Sequence, residues 1–146
     1  MKFMKQKHFE AYMTTAETFA KMSTAKRLQV GAIIVKDERI ISIGYNGTPS
    51  GWDNDCEYME YDDNGDELGL KTKPEVLHAE TNAIAKLAKS TESGDGAVLF
   101  VTHAPCLDCA KLVYQSGINS VLYRNSYRSD AGIQFLKKAG VKVGKF

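Results

Sequence analysis

Cysteine is scarce in this sequence: Cys56, Cys106 and Cys109 are the only three in 146 residues. They are too few and too unevenly placed for a disulfide framework, and thiols kept reduced in a cytoplasm are the better reading. That leaves the close pair, Cys106 and Cys109, for a metal or for catalysis. An excess of one charge is also missing, since 19 Lys and Arg face 18 Asp and Glu. Near-neutrality offers no global attraction for nucleic acid or an anionic membrane, although a local phosphate pocket needs only a few basic residues. No apolar run approaches the length that spans a bilayer. The opening MKFMKQKHFEAYM is charged throughout and lacks the apolar centre of a signal peptide, so a cytoplasmic protein is expected. Proline-rich linkers, low-complexity tracts and long repeats are absent too, which leaves one compact domain over residues 1–146.

What is present is an alternation of helix and strand patterns. Phe9, Tyr12, Met13, Ala16, Phe19 and Ala20 fall at helical spacing over 6–22. QVGAIIVK (29–36) and RIISIGYN (39–46) are β-branched runs, and the charged pair Asp37-Glu38 between them reads as a hairpin turn. A polar segment follows, and residues 52–77 are read as a loop or insert. HAETNAIAKLAK (78–89) repeats apolar residues every fourth position and predicts a helix, and AVLFVT (97–102) predicts a strand buried on both faces. CLDCAKLVYQSG (106–117) predicts a helix with Pro105 at its first position and Gly117 at its end. NSVLYRN (119–125), DAGIQFLKKAG (130–140) and VKV (141–143) complete a β-α-β-α-β tail, which favours parallel strands. The expected fold is α/β, a three-layer α/β/α domain with a mixed five-stranded sheet.

The thiol pair gains meaning from its position. Cys106 and Cys109 are three apart, so on a helix they share a face, and a helix start lowers thiolate pKa. Two sulfurs do not complete a tetrahedral zinc site, and His78, at the start of the helix before strand 97–102, is the natural third ligand. A helix-strand-helix unit can bring both helix N-termini to one sheet edge. His78, Cys106 and Cys109 then leave one coordination position open, the pattern of a catalytic rather than a structural site. Glu80, two residues after His78, is placed to take a proton from water and pass it to a substrate nitrogen. A structural zinc would need a fourth ligand from Cys56, His8 or His103, and redox use of the thiols would leave His78 and Glu80 without a role.

H-A-E followed by P-C-L-D-C is the H-x-E…P-C-x-x-C pattern of zinc nucleobase deaminases. With STAKRLQVGAIIVKD (23–37), GYNGTPSG (44–51), HAETNAIAKLA (78–88), VTHAPCLDCAKLVYQSGI (101–118) and the weaker LYRNSYRSDAGIQFLKKAGV (122–141), the chain resembles the deoxycytidylate (dCMP) deaminases of the cytidine deaminase-like superfamily. The likeness covers most of the chain outside residues 52–77. It implies hydrolytic, zinc-dependent deamination of dCMP to dUMP, supplying thymidylate synthesis, with Glu80 protonating N3 and assisting ammonia release. It also implies sugar contact by Asn46 and phosphate contacts from Ser23, Arg27, Tyr127 and Arg128. Family members are commonly homohexamers, activated by dCTP and inhibited by dTTP at a separate nucleotide site. Gly47, Pro49, Gly51, Lys86 and Lys89 are the candidate residues there, with Mg2+ accompanying the triphosphate. A second zinc, held in some relatives by cysteines and histidines of the insert, is not expected, because 52–77 offers only Cys56. Ala25 stands where relatives often have cysteine. The rivals are a deaminase that takes dCTP as well as dCMP, a deaminase of a nucleic-acid base, against which the neutral charge and acidic insert argue, and a non-catalytic nucleotide-binding or structural-zinc protein.

Overall fold

The structure, a computed structural model, describes residues 5–146; the first four residues of the charged opening stretch lie outside the described residues. Helix α1 (Gln6–Ala20) leads into a hairpin of β1 (Gly31–Lys36) and β2 (Arg39–Tyr45). Asp37 and Glu38 turn that hairpin with φ of 51° and 62°, the left-handed pair that matches strand twist. After a second hairpin, β3 (Glu57–Tyr61) and β4 (Glu67–Thr72), come α2 (Ala79–Ala88), β5 (Val98–His103), α3 (Leu107–Gln115), β6 (Ser120–Asn125), α4 (Ala131–Lys138) and β7 (Lys142–Lys145). The main sheet has the order β2-β1-β5-β6-β7. β1 is antiparallel to β2 and to β5, while β5, β6 and β7 run parallel, so the sheet is mixed as its strand patterns predict.

Two differences matter for the site. Residues 57–72 form a separate two-stranded antiparallel sheet rather than a loop. Its strands bury almost nothing, so EYMEY and ELGLKT show no strong apolar alternation; only Asn64-Gly65 at the turn marks it. Pro105 lies one residue before the N-cap of α3, not at its first helical position, and the N-cap is Cys106 itself. Proline, with φ fixed and no N–H to satisfy, fixes the direction of entry, and the Cys106 thiol makes no capping bond.

The sheet is covered unequally. On one face α1 sets Met13 and Ala16 against Ile33, Val35, Val98 and Phe100. On the other, Ala79, Ala83 and Leu87 of α2, Ala110 and Val113 of α3 and Leu136 of α4 pack on Ala32, Ile34, Leu99, Val101 and Val121. Phe100 is fully buried on the central strand, and truncating such a side chain costs about 3–5 kcal/mol. Small residues let the helices reach the sheet. A Cβ on Gly44 would overlap the Ala79 carbonyl, and one on Gly132 would overlap the Pro105 carbonyl. Gly44 therefore seats the start of α2, and Gly132 lets α4 press against the start of α3. No helix among the described residues is long and apolar enough to cross a membrane.

Candidate active site and metal centre

β5 ends at His103, and the chain turns through Ala104 and Pro105 directly into α3. Because α2 packs across β2 and β1 and against α3, its N-terminus reaches the same sheet edge. His78 is the N-cap of α2 and Cys106 the N-cap of α3, both in extended conformation (ψ 158° and 170°), and neither side chain caps its own helix. Ser, Thr, Asp or Asn would fold back on the helix at such positions. His and Cys project forward instead and meet.

His78 Nδ1 lies 3.6 Å from Cys106 Sγ and 3.2 Å from Cys109 Sγ. These three are a grouping that could hold a metal ion, with all donor atoms within 4.8 Å of one another. In tetrahedral zinc, bonds of about 2.3 Å to sulfur and about 2.0 Å to nitrogen put S and N roughly 3.6 Å apart. The donor set and spacing fit zinc. Cys109 sits beneath, at the third helical position of α3, and is buried.

The titratable groups of this cluster shift one another's pKa values. Hydrogen bonds from Cys109 and then from His78 pull the Cys106 thiol down to about 4, so it is a thiolate. The same bond to Cys106, aided by burial, pushes the Cys109 thiol up. His78 is raised, chiefly by its bond to Cys106. Glu80, in the first turn of α2, is only 4% exposed, and burial raises its carboxyl above the ordinary range. A buried acid that resists ionisation is suited to carry a proton in both directions.

A cavity of about 820 Å³ opens onto this group. His78, Glu80 and Cys106 line it together with Asn46, Arg27, Tyr127 and Arg128, so one space joins the candidate metal centre to four of the five residues expected to bind a nucleotide. Asn46 Oδ1 accepts the Val30 N–H (2.9 Å) and its Nδ2 donates to the Leu28 carbonyl (2.8 Å), which fixes the amide's orientation. One amide proton and one lone pair remain for a ligand. The Arg128 guanidinium lies 5.4 Å from the Tyr127 ring centre. The fifth residue, Ser23, is buried and does not line the cavity: its hydroxyl donates to the Asn46 carbonyl (2.7 Å) and accepts the Ala25 N–H (3.2 Å). It holds the Asn46 turn from behind.

The proposed effector residues lie elsewhere. None of Gly47, Pro49, Gly51, Lys86 and Lys89 lines the 820 Å³ cavity. Gly47 bridges to Leu77 through two backbone hydrogen bonds (3.1 and 2.8 Å), and Lys86 Nζ donates to the Ile43 carbonyl (2.7 Å). The candidates for a fourth, structural ligand are not in the metal grouping either. Cys56 is buried against Thr24 Oγ1 (3.4 Å), and His103 Nδ1 meets Thr102 Oγ1 (3.0 Å).

Among the cavity residues to which the motifs give no catalytic or substrate role are His103, Glu57 and Thr72. His103, whose pKa is lowered by burial, adjoins the PCLDC motif and is detectable there by proximity. Glu57 and Thr72, from the β3–β4 hairpin, also line the cavity. No local signal marks them, since they reach it only through the fold of the insert.

Comparison with known proteins agrees with this geometry. Residues 6–125 match the cytidine and deoxycytidylate deaminase zinc-binding region. Among curated proteins, the ComE operon protein 2 of Bacillus subtilis is 38% identical over 137 residues, covering 90% of this chain and 67% of that protein. The deoxycytidylate deaminase of Saccharomyces cerevisiae is 36% identical over 140 residues, covering 92% of this chain and 43% of the yeast protein, so the chain spans under half of that relative. A crystal structure of the dCMP deaminase from the cyanophage S-TIM5, in complex with dCMP and dUMP, superimposes with a TM-score of 0.89 at 50% identity, covering 99% of this chain and 100% of the phage chain.

Proposed function

The chain belongs to the cytidine and deoxycytidylate deaminase family, and on that premise we propose that it hydrolyses dCMP to dUMP and ammonia. The observation that carries the proposal is the single cavity in which Glu80 and the His78–Cys106–Cys109 end face Asn46, Arg27, Tyr127 and Arg128. A cytosine ring, a deoxyribose and a monophosphate are the three parts such a cavity would separate.

His78, Cys106 and Cys109 would hold zinc, which when bound supplies the Lewis acidity that makes water a nucleophile near neutral pH. Glu80 would take a proton from the attacking water as its oxygen joins C4 of cytosine, and deliver it to N3. The remaining hydroxyl proton then passes through the same carboxyl to the exocyclic amine. The C4–N bond breaks, ammonia departs, and C4=O with N3–H is the uracil product. Burial raises the Glu80 carboxyl above the ordinary range, which favours the protonated form from which it donates. Asn46 orients the sugar with its remaining amide proton and lone pair, and Ser23 keeps the Asn46 turn in place. Arg27, Tyr127 and Arg128 supply cationic and hydroxyl donors for the 5′-phosphate.

Control by dCTP as activator and dTTP as inhibitor, with Mg2+ on the triphosphate, belongs to the same proposal, as do a homohexameric assembly and a cytoplasmic setting. Support for these comes from the resemblance of the GYNGTPSG loop and from the reduced-thiol composition. Side-by-side assays of dCMP, dCTP, deoxycytidine and an RNA stem-loop, each with and without the two effectors, test the reading. We expect dUMP from dCMP as the preferred product. Turnover of the RNA with none of the free nucleotides would overturn it.

A further inference from the structure

The cavity wall opposite the metal end contains an anion of the protein's own. Glu57 Oε2 accepts two successive backbone N–H groups, from Lys26 (2.8 Å) and Arg27 (2.9 Å). Successive amides that converge in this way make an anion-binding concavity. Glu57 begins β3, and its cross-strand partner in the hairpin register is Thr72. Thr72 Oγ1 in turn accepts a hydrogen bond from Arg27 Nη1 (3.2 Å). The open end of the hairpin thus grips Arg27 twice, its backbone through Glu57 and its guanidinium through Thr72. All three residues line the cavity.

The grip is separable from the hairpin's other attachments. Cys56 is buried, its sulfur meets Thr24 Oγ1 (3.4 Å), and its carbonyl accepts the Lys73 N–H (2.8 Å). Asn46 is held independently, by Ser23 and by the backbone of Leu28 and Val30. Removing the Glu57 carboxylate therefore frees the Arg27 segment without removing what fixes the hairpin base or the sugar-binding amide.

We propose that Glu57 is a positioning residue: through the Lys26 and Arg27 amides, with Thr72 on the guanidinium, it presents Arg27 to the phosphate of the substrate. This rests on the dCMP reading and adds to it a role for the hairpin, which becomes the specificity wall for the monophosphate. An Arg left free on an exposed loop keeps its charge but loses its direction, and misplacement of about 1 Å can cost roughly a hundredfold.

The test compares Glu57→Ala and Glu57→Gln in the full chain, with dCMP and deoxycytidine as substrates and residue-resolved amide exchange as a second readout. Glu57→Ala should lower kcat/KM for dCMP roughly 10- to 100-fold, mostly through KM, and about tenfold more than for deoxycytidine. Glu57→Gln, whose amide oxygen still accepts both N–H groups, should recover most of the loss. Exchange at Lys26 and Arg27 should accelerate in the Ala variant and stay near wild type in the Gln variant. Equal losses on the two substrates would overturn the proposal, as would unchanged protection of the two amides. A fall in KM for dCMP would also overturn it, by showing that Glu57 occupies the phosphate's own seat. A wild-type protein that fails to turn over dCMP defeats the functional reading alone, and the exchange measurement still decides whether Glu57 clamps the segment.

Discussion

The two ends of the cavity are built in opposite ways. At the metal end, His78, Glu80, Cys106 and Cys109 stand on two helix starts anchored by a buried strand, and the donors lie within 4.8 Å of one another. At the end proposed for the phosphate, Arg27 and Arg128 are exposed side chains on loops, Arg27 bonded to a hairpin that buries little and Arg128 set beside the Tyr127 ring. The first end is held by helix periodicity and core packing, the second by a few hydrogen bonds between residues far apart in the chain. In the proposed reaction, the chemistry that demands fixed distances falls to the rigid end and recognition of a charged, solvated group to the adjustable one.

Cys109→Ser should break the rigid end outright. The buried sulfur is lost, zinc binding collapses, and turnover falls to background. Metal analysis alongside a thermal melt would show the zinc lost and the melting temperature lowered, because metal binding energy is coupled to folding. Chelation of the wild type should reproduce both effects, and zinc should reverse them.

Asn46→Ala acts at the junction of the two ends. It leaves the partly buried Val30 N–H without its partner, at about 1–3 kcal/mol, leaves the exposed Leu28 carbonyl to water, and removes the proposed sugar contact. Urea unfolding should show the stability loss, and kinetics a fall of roughly a hundredfold in kcat/KM for dCMP and for deoxycytidine alike, about 2.7 kcal/mol. Gly132→Ala should strain the metal end without touching a ligand. Its methyl group meets the Pro105 carbonyl and comes within 2.8 Å of the Cys106 carbonyl carbon, so we expect about 1–3 kcal/mol of destabilisation and weaker zinc binding. Equilibrium unfolding and competition with a zinc chelator would measure the two effects.

Arg128→Ala should sharpen the contrast from the other side. KM for dCMP should rise roughly tenfold, deoxycytidine turnover should change little, and zinc content should be untouched; one charge-assisted hydrogen bond accounts for a change of this size. The smallest effect concerns pH. Burial lowers the pKa of His103 in the folded protein, so the unfolded chain binds the proton more readily. The associated stability is present above the unfolded value, near 6.5, and is lost as pH falls below it. His103→Gln should flatten the acid side of the stability-against-pH curve measured by urea midpoints between pH 7 and 5.

Much of the metal end is legible in the sequence, because H-A-E and P-C-L-D-C compress it into two short segments at predicted helix starts. Even there the detail of Pro105 was not readable, since a proline one residue earlier serves equally well to start a helix. The main sheet follows from β-branched runs and turn residues, and its elements lie within one or two residues of the predicted bounds. The hairpin does not, because exposed strands carry no burial pattern to betray them. Ser23 and Glu57 mark the limit most clearly. One is a polar residue turned inward to hold a turn, the other a surface-type residue bonded to amides 30 and 31 positions away, and both roles depend on contacts that only folding creates.

In the proposed mechanism Glu80 moves the protons while His78, Cys106 and Cys109 hold the metal. Measuring zinc content and dUMP formation from dCMP for wild type and Glu80→Gln tests it most directly. Equal zinc is expected in both proteins, with a loss of turnover of at least ~100-fold in the variant, the range of a lost general acid-base. A zinc-replete Glu80→Gln protein that still forms dUMP at the wild-type rate would contradict it.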